Sequence, residues 1–149
     1  MAKQFFVLGI GGTGMRCIES LIHLCAMGMF DDTDIHLLAL DTDKNNGNFG
    51  RLKELKEAYV NTKGLKAENR VSHKETFFSA NIKYYEFSPN YETKSTFKEV
   101  FGYGDTQYNH REETDLADLV LDRNVEEFNL QHGYRAQTHL GSMMMYQSI

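Results

Sequence analysis

The sequence predicts an α/β fold on a mostly parallel sheet, and three stretches near the N-terminus carry that prediction. Gln4-Phe5-Phe6-Val7-Leu8 is a short apolar run of the kind a buried parallel strand needs. It leads directly into Gly9-Ile10-Gly11-Gly12-Thr13-Gly14, after which Met15, Ile18, Leu21, Ile22, Cys25 and Met29 recur at helical spacing. A second apolar run, Ile35-His36-Leu37-Leu38-Ala39-Leu40, stops at the acidic turn Asp41-Thr42-Asp43. Strand, glycine turn, helix and strand in that order make a βαβ unit, the building block of a Rossmann-like three-layer sandwich.

The glycine turn fits G-x-G-x-x-G and falls at a helix N-terminus. Glycines there allow positive φ and remove Cβ atoms, so backbone N–H groups can close on a ligand. Unpaired N–H groups and the positive end of the helix dipole point the same way, which favours an anion. A tight turn that only packs helix on strand would use the same residues, but the flanking strand and helix favour phosphate binding. Asp41, Thr42 and Asp43 stand at a strand's C-terminal edge, where open α/β sheets bind ligands.

Beyond the second strand, Lys44-Asn45-Asn46-Gly47-Asn48 is a loop by composition. Leu52, Leu55 and Tyr59 then predict a second helix over residues 49–60, expected to cover the opposite side of the sheet from the first. Residues 61–80 lack a clean period and read as a surface excursion. Ile82 to Phe87 is rich in β-formers and stops at Ser88-Pro89, a third strand. A polar insert follows at about 89–114, with one short helix around 97–101. Helical stretches are expected from Asp115 to Val120, over 125–128 and from Gly133 to Ile149. No strand follows the last of these. A crossover helix without a strand to return to reads as a fold truncated at its C-terminus, and the sequence as the N-terminal piece of a larger protein.

Composition bounds the rest. The 149 residues have the length of a single, partial domain, 41% hydrophobic and 12% aromatic, which argues against global disorder. No apolar run approaches the roughly 20 residues of a membrane span, and no signal-peptide pattern opens the chain, so a cytoplasmic protein without membrane contact is expected. Cys17 and Cys25 share one predicted helix and read as reduced thiols, and the six histidines form no metal-ligand spacing. The net charge of -5 hides a segment from Lys44 to Lys74 with eight basic residues against three acidic ones. Its aromatics are not interleaved as a nucleic-acid surface requires, so a solvated face is favoured over nucleic-acid binding. The carboxylates Glu112, Glu113, Asp115 and Asp118 read as helix-dipole partners and are given no chemistry.

GIGGTG followed by LLALDTD resembles the first and second nucleotide loops of the tubulin/FtsZ superfamily, in particular its bacterial tubulin-like members with GGTG and LALDTD. Gly133-Tyr134-Arg135-Ala136, then Leu140-Gly141-Ser142, is similar to the G-[FY]-R-[GA] … [IL]-G-[SA] stretch of the same family. The three motifs lie in family order at both ends of the chain. The resemblance implies binding of GTP or GDP, with Mg in the complete protein, through Gly9, Ile10, Gly11, Gly12, Thr13, Gly14 and Arg16 at the phosphates and Asp41, Thr42 and Asp43 near the sugar or base. It also implies a homo-oligomer or polymer. Two positions depart from the family. Arg16 stands where cell-division members have an Asn that reads guanine, and Asp41 replaces the Asn of their N-T-D; an amide can donate to a base carbonyl and a carboxylate cannot.

The family's G-G-G-T-G-[ST] phosphate loop and its later acidic loop do not occur in these 149 residues, and no catalytic triad or Walker lysine replaces them. No catalytic residue is assigned. Two other readings stay open. One is an NAD(P)- or ATP-binding Rossmann module, dehydrogenase-like or ThiF-like, in which Asp41 or Asp43 accepts from a ribose hydroxyl; Asp41 lies 27 residues beyond Gly14, further than the roughly 20 of the usual fingerprint. The other is a non-enzymatic assembly domain with a decayed pocket.

Overall fold

A computed structural model describes residues 3–68, 77–89 and 138–148, together with Thr96, Glu99, Leu119, Val125, Asn129 and Leu130. The expected insert, the short helix at 97–101, the stretches at 115–120 and 126–128, and residues 133–137 lie outside the described residues, apart from those single positions. The chain divides into two compact units, Met1–Ser88 and Pro89–Ile149.

In the first unit, β1 (Lys3–Ile10), α1 (Gly11–Ala26), β2 (Thr33–Leu40), α2 (Asn48–Glu68) and β3 (Asn81–Phe87) follow in sequence. The three strands form one all-parallel sheet in the order β1-β2-β3. The expected strands and first helix are therefore present, with shifted ends. The first helix stops at Ala26, not Met29, because the Gly28 and Met29 N–H groups return to the Cys25 and Leu24 carbonyls at 3.0 and 3.2 Å. Gly28 has a φ of 82° there. That pair of bonds is a Schellman cap, which needs a left-handed residue after the last helical turn.

The second helix differs from expectation in two ways. It packs on the same sheet face as α1: Phe49, Leu52 and Tyr59 share one core with Met15, Ile18, Ile22 and Cys25 of α1, Ile35, Leu37 and Ala39 of β2, and Ile82 of β3. Handedness is the reason. With strands laid down in the order 1-2-3, both crossovers move in one direction, and two right-handed crossovers in one direction put both helices on one face. The helix also runs on to Glu68 through residues read as a surface excursion. Tertiary bonds hold that extension. The Tyr59 hydroxyl donates to the Ala80 carbonyl at 3.1 Å, and Lys63 Nζ donates to the Ser79 and Ala80 carbonyls at 3.0 Å each. The chain entering β3 is thereby pinned to α2, which hydrophobic periodicity cannot register because the contacts are polar.

Ile35, Leu37 and Ala39 of the central strand are wholly buried, each large side chain contributing roughly 1.5–3 kcal/mol of burial. The opposite face carries Phe6, Leu8, Ile10, Leu38 and Tyr85, all exposed, with His36 stacked on Phe6 at a centroid distance of 4.6 Å.

In the second unit, Thr96 and Asn129 form an antiparallel bridge, Val125 and Leu130 are buried, and α3 spans Thr138–Ser148. Leu140 on α3 is fully buried and Tyr146 is exposed. No helix among the described residues is long and apolar enough to cross a membrane.

Candidate functional site

Register places the two sequence motifs side by side. Ile10, Leu40 and Phe87 are cross-strand partners, so the glycine turn after β1 and the acidic turn after β2 leave the same edge of the sheet. The Asp41 N–H continues the ladder to the Phe87 carbonyl at 3.2 Å.

The glycines divide into two kinds. A Cβ on Gly14 would lie 2.7 Å from the Gly9 carbonyl carbon, and one on Gly9 would meet the Gly14 carbonyl oxygen at 2.8 Å and Ile18 Cδ1 at 2.5 Å. These two residues let α1 touch β1 backbone to backbone, and their role is packing. Gly11 differs. Its φ is +66°, and a Cβ there would point into open space. Gly11 therefore meets the need for a left-handed residue where the chain turns from strand to helix, with room beside it. Helix α1 begins at Gly11, and its N-cap residue Ile10 makes no side-chain capping bond. The first N–H groups of α1 consequently have no side-chain acceptor at the cap, the state in which a helix start accepts an anion.

Asn48 of α2, which the sequence reads as part of a loop, reaches this turn, and Arg51, which it reads as part of a basic segment, bonds to Asn48. Asn48 Nδ2 would stand 3.1 Å from a Cβ on Gly12. The Arg51 guanidinium donates to Asn48 Oδ1 and pairs with Glu19 of α1 at 3.4 Å. Arg16 pairs with the same Glu19 carboxylate at 3.2 Å. The signal that could have found them is an Asn opening a helix just after the acidic turn, with an Arg three residues on. Thr13 is exposed, while Gly11 and Gly12 are half-buried.

The acidic turn is built from its own side chains. Asp41 and Thr42 are buried. Asp41 Oδ1 accepts from the Asp43 N–H at 3.2 Å and Oδ2 from Asn46 Nδ2 at 3.0 Å. Asp43 Oδ1 accepts from the Asn45 N–H at 2.9 Å, and Asn46 Oδ1 from the Asn48 N–H at 3.0 Å. Each bond spans two residues except the Asn46 amide bond, so the turn is a run of Asx-type closures that ends by starting α2. Asp41 thus orders the loop with both oxygens, and the half-buried Asp43 stands nearer the surface.

Among the described residues no group of three or more His, Cys, Asp or Glu is placed to hold a metal. The turn offers backbone donors and the Asn48 amide, while the Arg16 and Arg51 guanidinium groups are both held by Glu19. It can bind an anion, and it presents no nucleophile with an adjacent base. No family model, no curated protein and no solved structure matches this chain.

Proposed function

We propose that residues 1–88 bind a nucleotide at the joined turns after β1 and β2, with GTP or GDP as the ligand implied by the tubulin-like motifs. The observation that carries the reading is Gly11: a left-handed residue with open space beside it, at the start of a helix whose N-cap supplies no side-chain acceptor. Gly11, Gly12 and Thr13 face the phosphates in this reading, with Asn48 and Arg51 closing the far side. Asp43 reaches the sugar or base. Gly9 and Gly14 hold α1 against β1, and Asp41 and Thr42 hold the loop. Mg would accompany the phosphates, as the resemblance implies. The fold would be a Rossmann-like sandwich in a protein that self-assembles, as the resemblance implies, with the cytoplasm as the location expected from the sequence's lack of a signal-peptide pattern.

One observation bears on the NAD reading. A dinucleotide site of that kind needs a carboxylate at the end of the second strand to accept from a ribose hydroxyl. Each Asp41 oxygen already accepts a bond from the chain, so in either reading the carboxylate better placed for a ribose hydroxyl is that of the half-buried Asp43. The test is Gly11→Val in the full chain, with Gly64→Ala as a control far from the turn. The expected result is loss of GTP binding in the first and unchanged binding in the second, by calorimetry, with both variants folded by circular dichroism. Equal affinity of Gly11→Val and parent would make the turn merely structural.

A further inference from the structure

Asn48 opens α2 and is half-buried, with its side-chain amide beside Gly12 at the start of α1. Which end of that amide faces the turn decides what the turn can hold, because the carboxamide oxygen only accepts hydrogen bonds and the nitrogen only donates them. Shape does not choose between the ends, which are nearly equal in size. Arg51 does. A guanidinium carries donors alone, and Arg51 Nη2 bonds to this amide, so the atom it meets has to be the oxygen. The nitrogen is left facing Gly12, 3.1 Å from where a Cβ would stand. Gly12 thereby leaves room for a donor that any side chain there would crowd.

Arg51 is fixed from a second side. Its Nε pairs with Glu19 Oε1 at 3.4 Å, while the other oxygen of that carboxylate holds Arg16 at 3.2 Å. Glu19 lies about two turns along α1 from Gly11, so the helix that begins at the glycine turn also steadies Arg51. The Asn48 backbone is held as well: its N–H donates to Asn46 Oδ1 at 3.0 Å, and Asn46 Nδ2 donates to Asp41 Oδ2 at 3.0 Å. Turning the amide over would break the Arg51 bond, and moving it away would open the acidic turn. We propose that Asn48 is a side-chain donor to the phosphates at the glycine turn, and that Arg51, steadied by Glu19, is the positioning residue that keeps the donor end facing inward. The inference rests on the nucleotide reading above and adds what sets the polarity of the site. A reversed amide would aim its oxygen at a phosphate oxygen, acceptor against acceptor.

Asn48→Asp in the full chain separates this role from a structural one. The change is nearly isosteric, keeps an acceptor for Arg51, and puts a carboxylate at a helix start, where the dipole favours it. The melting temperature should therefore not fall, while calorimetric GTP affinity should drop by at least about tenfold. Asn61→Asp, the same change on an exposed residue of α2, should bind like the parent. Arg51→Gln should weaken GTP binding by a larger factor in the parent than in an Asn48→Ala background, where only its charge is left to lose. If Asn48→Asp fails to fold, that comparison decides by itself. Unchanged affinity in Asn48→Asp, or an equal loss in Asn61→Asp, overturns the inference; the nucleotide reading survives if Gly11→Val still abolishes binding. Equal factors for Arg51→Gln in the two backgrounds overturn its positioning role. A parent that binds no GTP overturns the inference together with the reading it rests on.

Discussion

Gly14→Ala isolates the contact on which the position of the glycine turn depends. The new Cβ would lie 2.7 Å from the Gly9 carbonyl carbon and 2.9 Å from its Cα, against an ordinary contact of at least 3.4 Å. Both atoms are backbone, so no side chain can swing away; the start of α1 must retreat from β1 by about 0.7 Å, the gap between 2.7 and 3.4 Å. Overpacking of this kind costs about 1–3 kcal/mol. Alanine returns up to about 1 kcal/mol through its helix propensity. Taking the middle of that cost, about 2 kcal/mol, less the helix gain leaves a net loss of about 1–2 kcal/mol, a fall in melting temperature of roughly 5–15 °C for a unit of this size. Gly64→Ala is the matched control: it lies within α2 with open space where its Cβ would go, and should gain about 0.5–1 kcal/mol. Thermal unfolding followed by circular dichroism reads both. A Gly14→Ala protein as stable as the parent, or two variants that shift in the same direction, would refute the argument that Gly14 is there for close packing.

Other perturbations follow from the same geometry. Tyr59→Phe should cost about 1 kcal/mol by urea denaturation, because the Ala80 carbonyl keeps its bond from Lys63. Adding Lys63→Met should cost more than the two single changes combined, since the carbonyl then loses both donors; strict additivity would show that the two bonds are independent. Stability should also fall in alkali. Burial pushes the Cys25 thiol from 9.0 up to about 11, and burial followed by the neighbouring Cys25 pushes the Tyr59 hydroxyl from 10.0 up to about 12. Each group keeps its proton in the fold after the unfolded chain has lost it, so stability is full below pH 9.0 and declines as pH rises toward about 11 and then 12. Cys25→Ala should remove the earliest part of that decline in denaturation curves, and a parent whose stability is flat across the window would contradict the assignment. Arg51→Gln should weaken nucleotide binding about tenfold, or about 1.4 kcal/mol, through the lost charge beside the turn; unchanged affinity would remove Arg51 from the site.

The strand, turn and helix of the first forty residues were legible because hydrophobic run length, glycine placement and helical spacing are local signals. The side on which α2 packs was not. It depends on β3 lying beyond β2 and not beside β1, a tertiary choice that Ile82 to Phe87 does not encode locally, and handedness decides the face only once that order exists. Lys63 and Tyr59 extend and anchor α2 through carbonyls about twenty residues away, which no window over the helix can register. Within the site, the glycine pattern located the turn without separating Gly11, which has room beside it, from Gly9 and Gly14, which touch each other. Asp41 read as a ligand acceptor because its own loop's claim on both oxygens appears only when Asp43 and Asn46 fold back. Asn48 and Arg51 escaped notice because their meeting with Gly12 and Glu19 is made across two helices.

The central claim is that the joined turns bind a nucleotide with the phosphates at Gly11 and Gly12. Calorimetric titration of the full chain with GTP, ATP and NAD, in the presence of Mg, tests it most directly. The account predicts saturable heat with GTP at one site per chain and weaker or no heat with NAD. Tighter binding of NAD than of GTP, or no heat from any of the three with a folded chain, would contradict it.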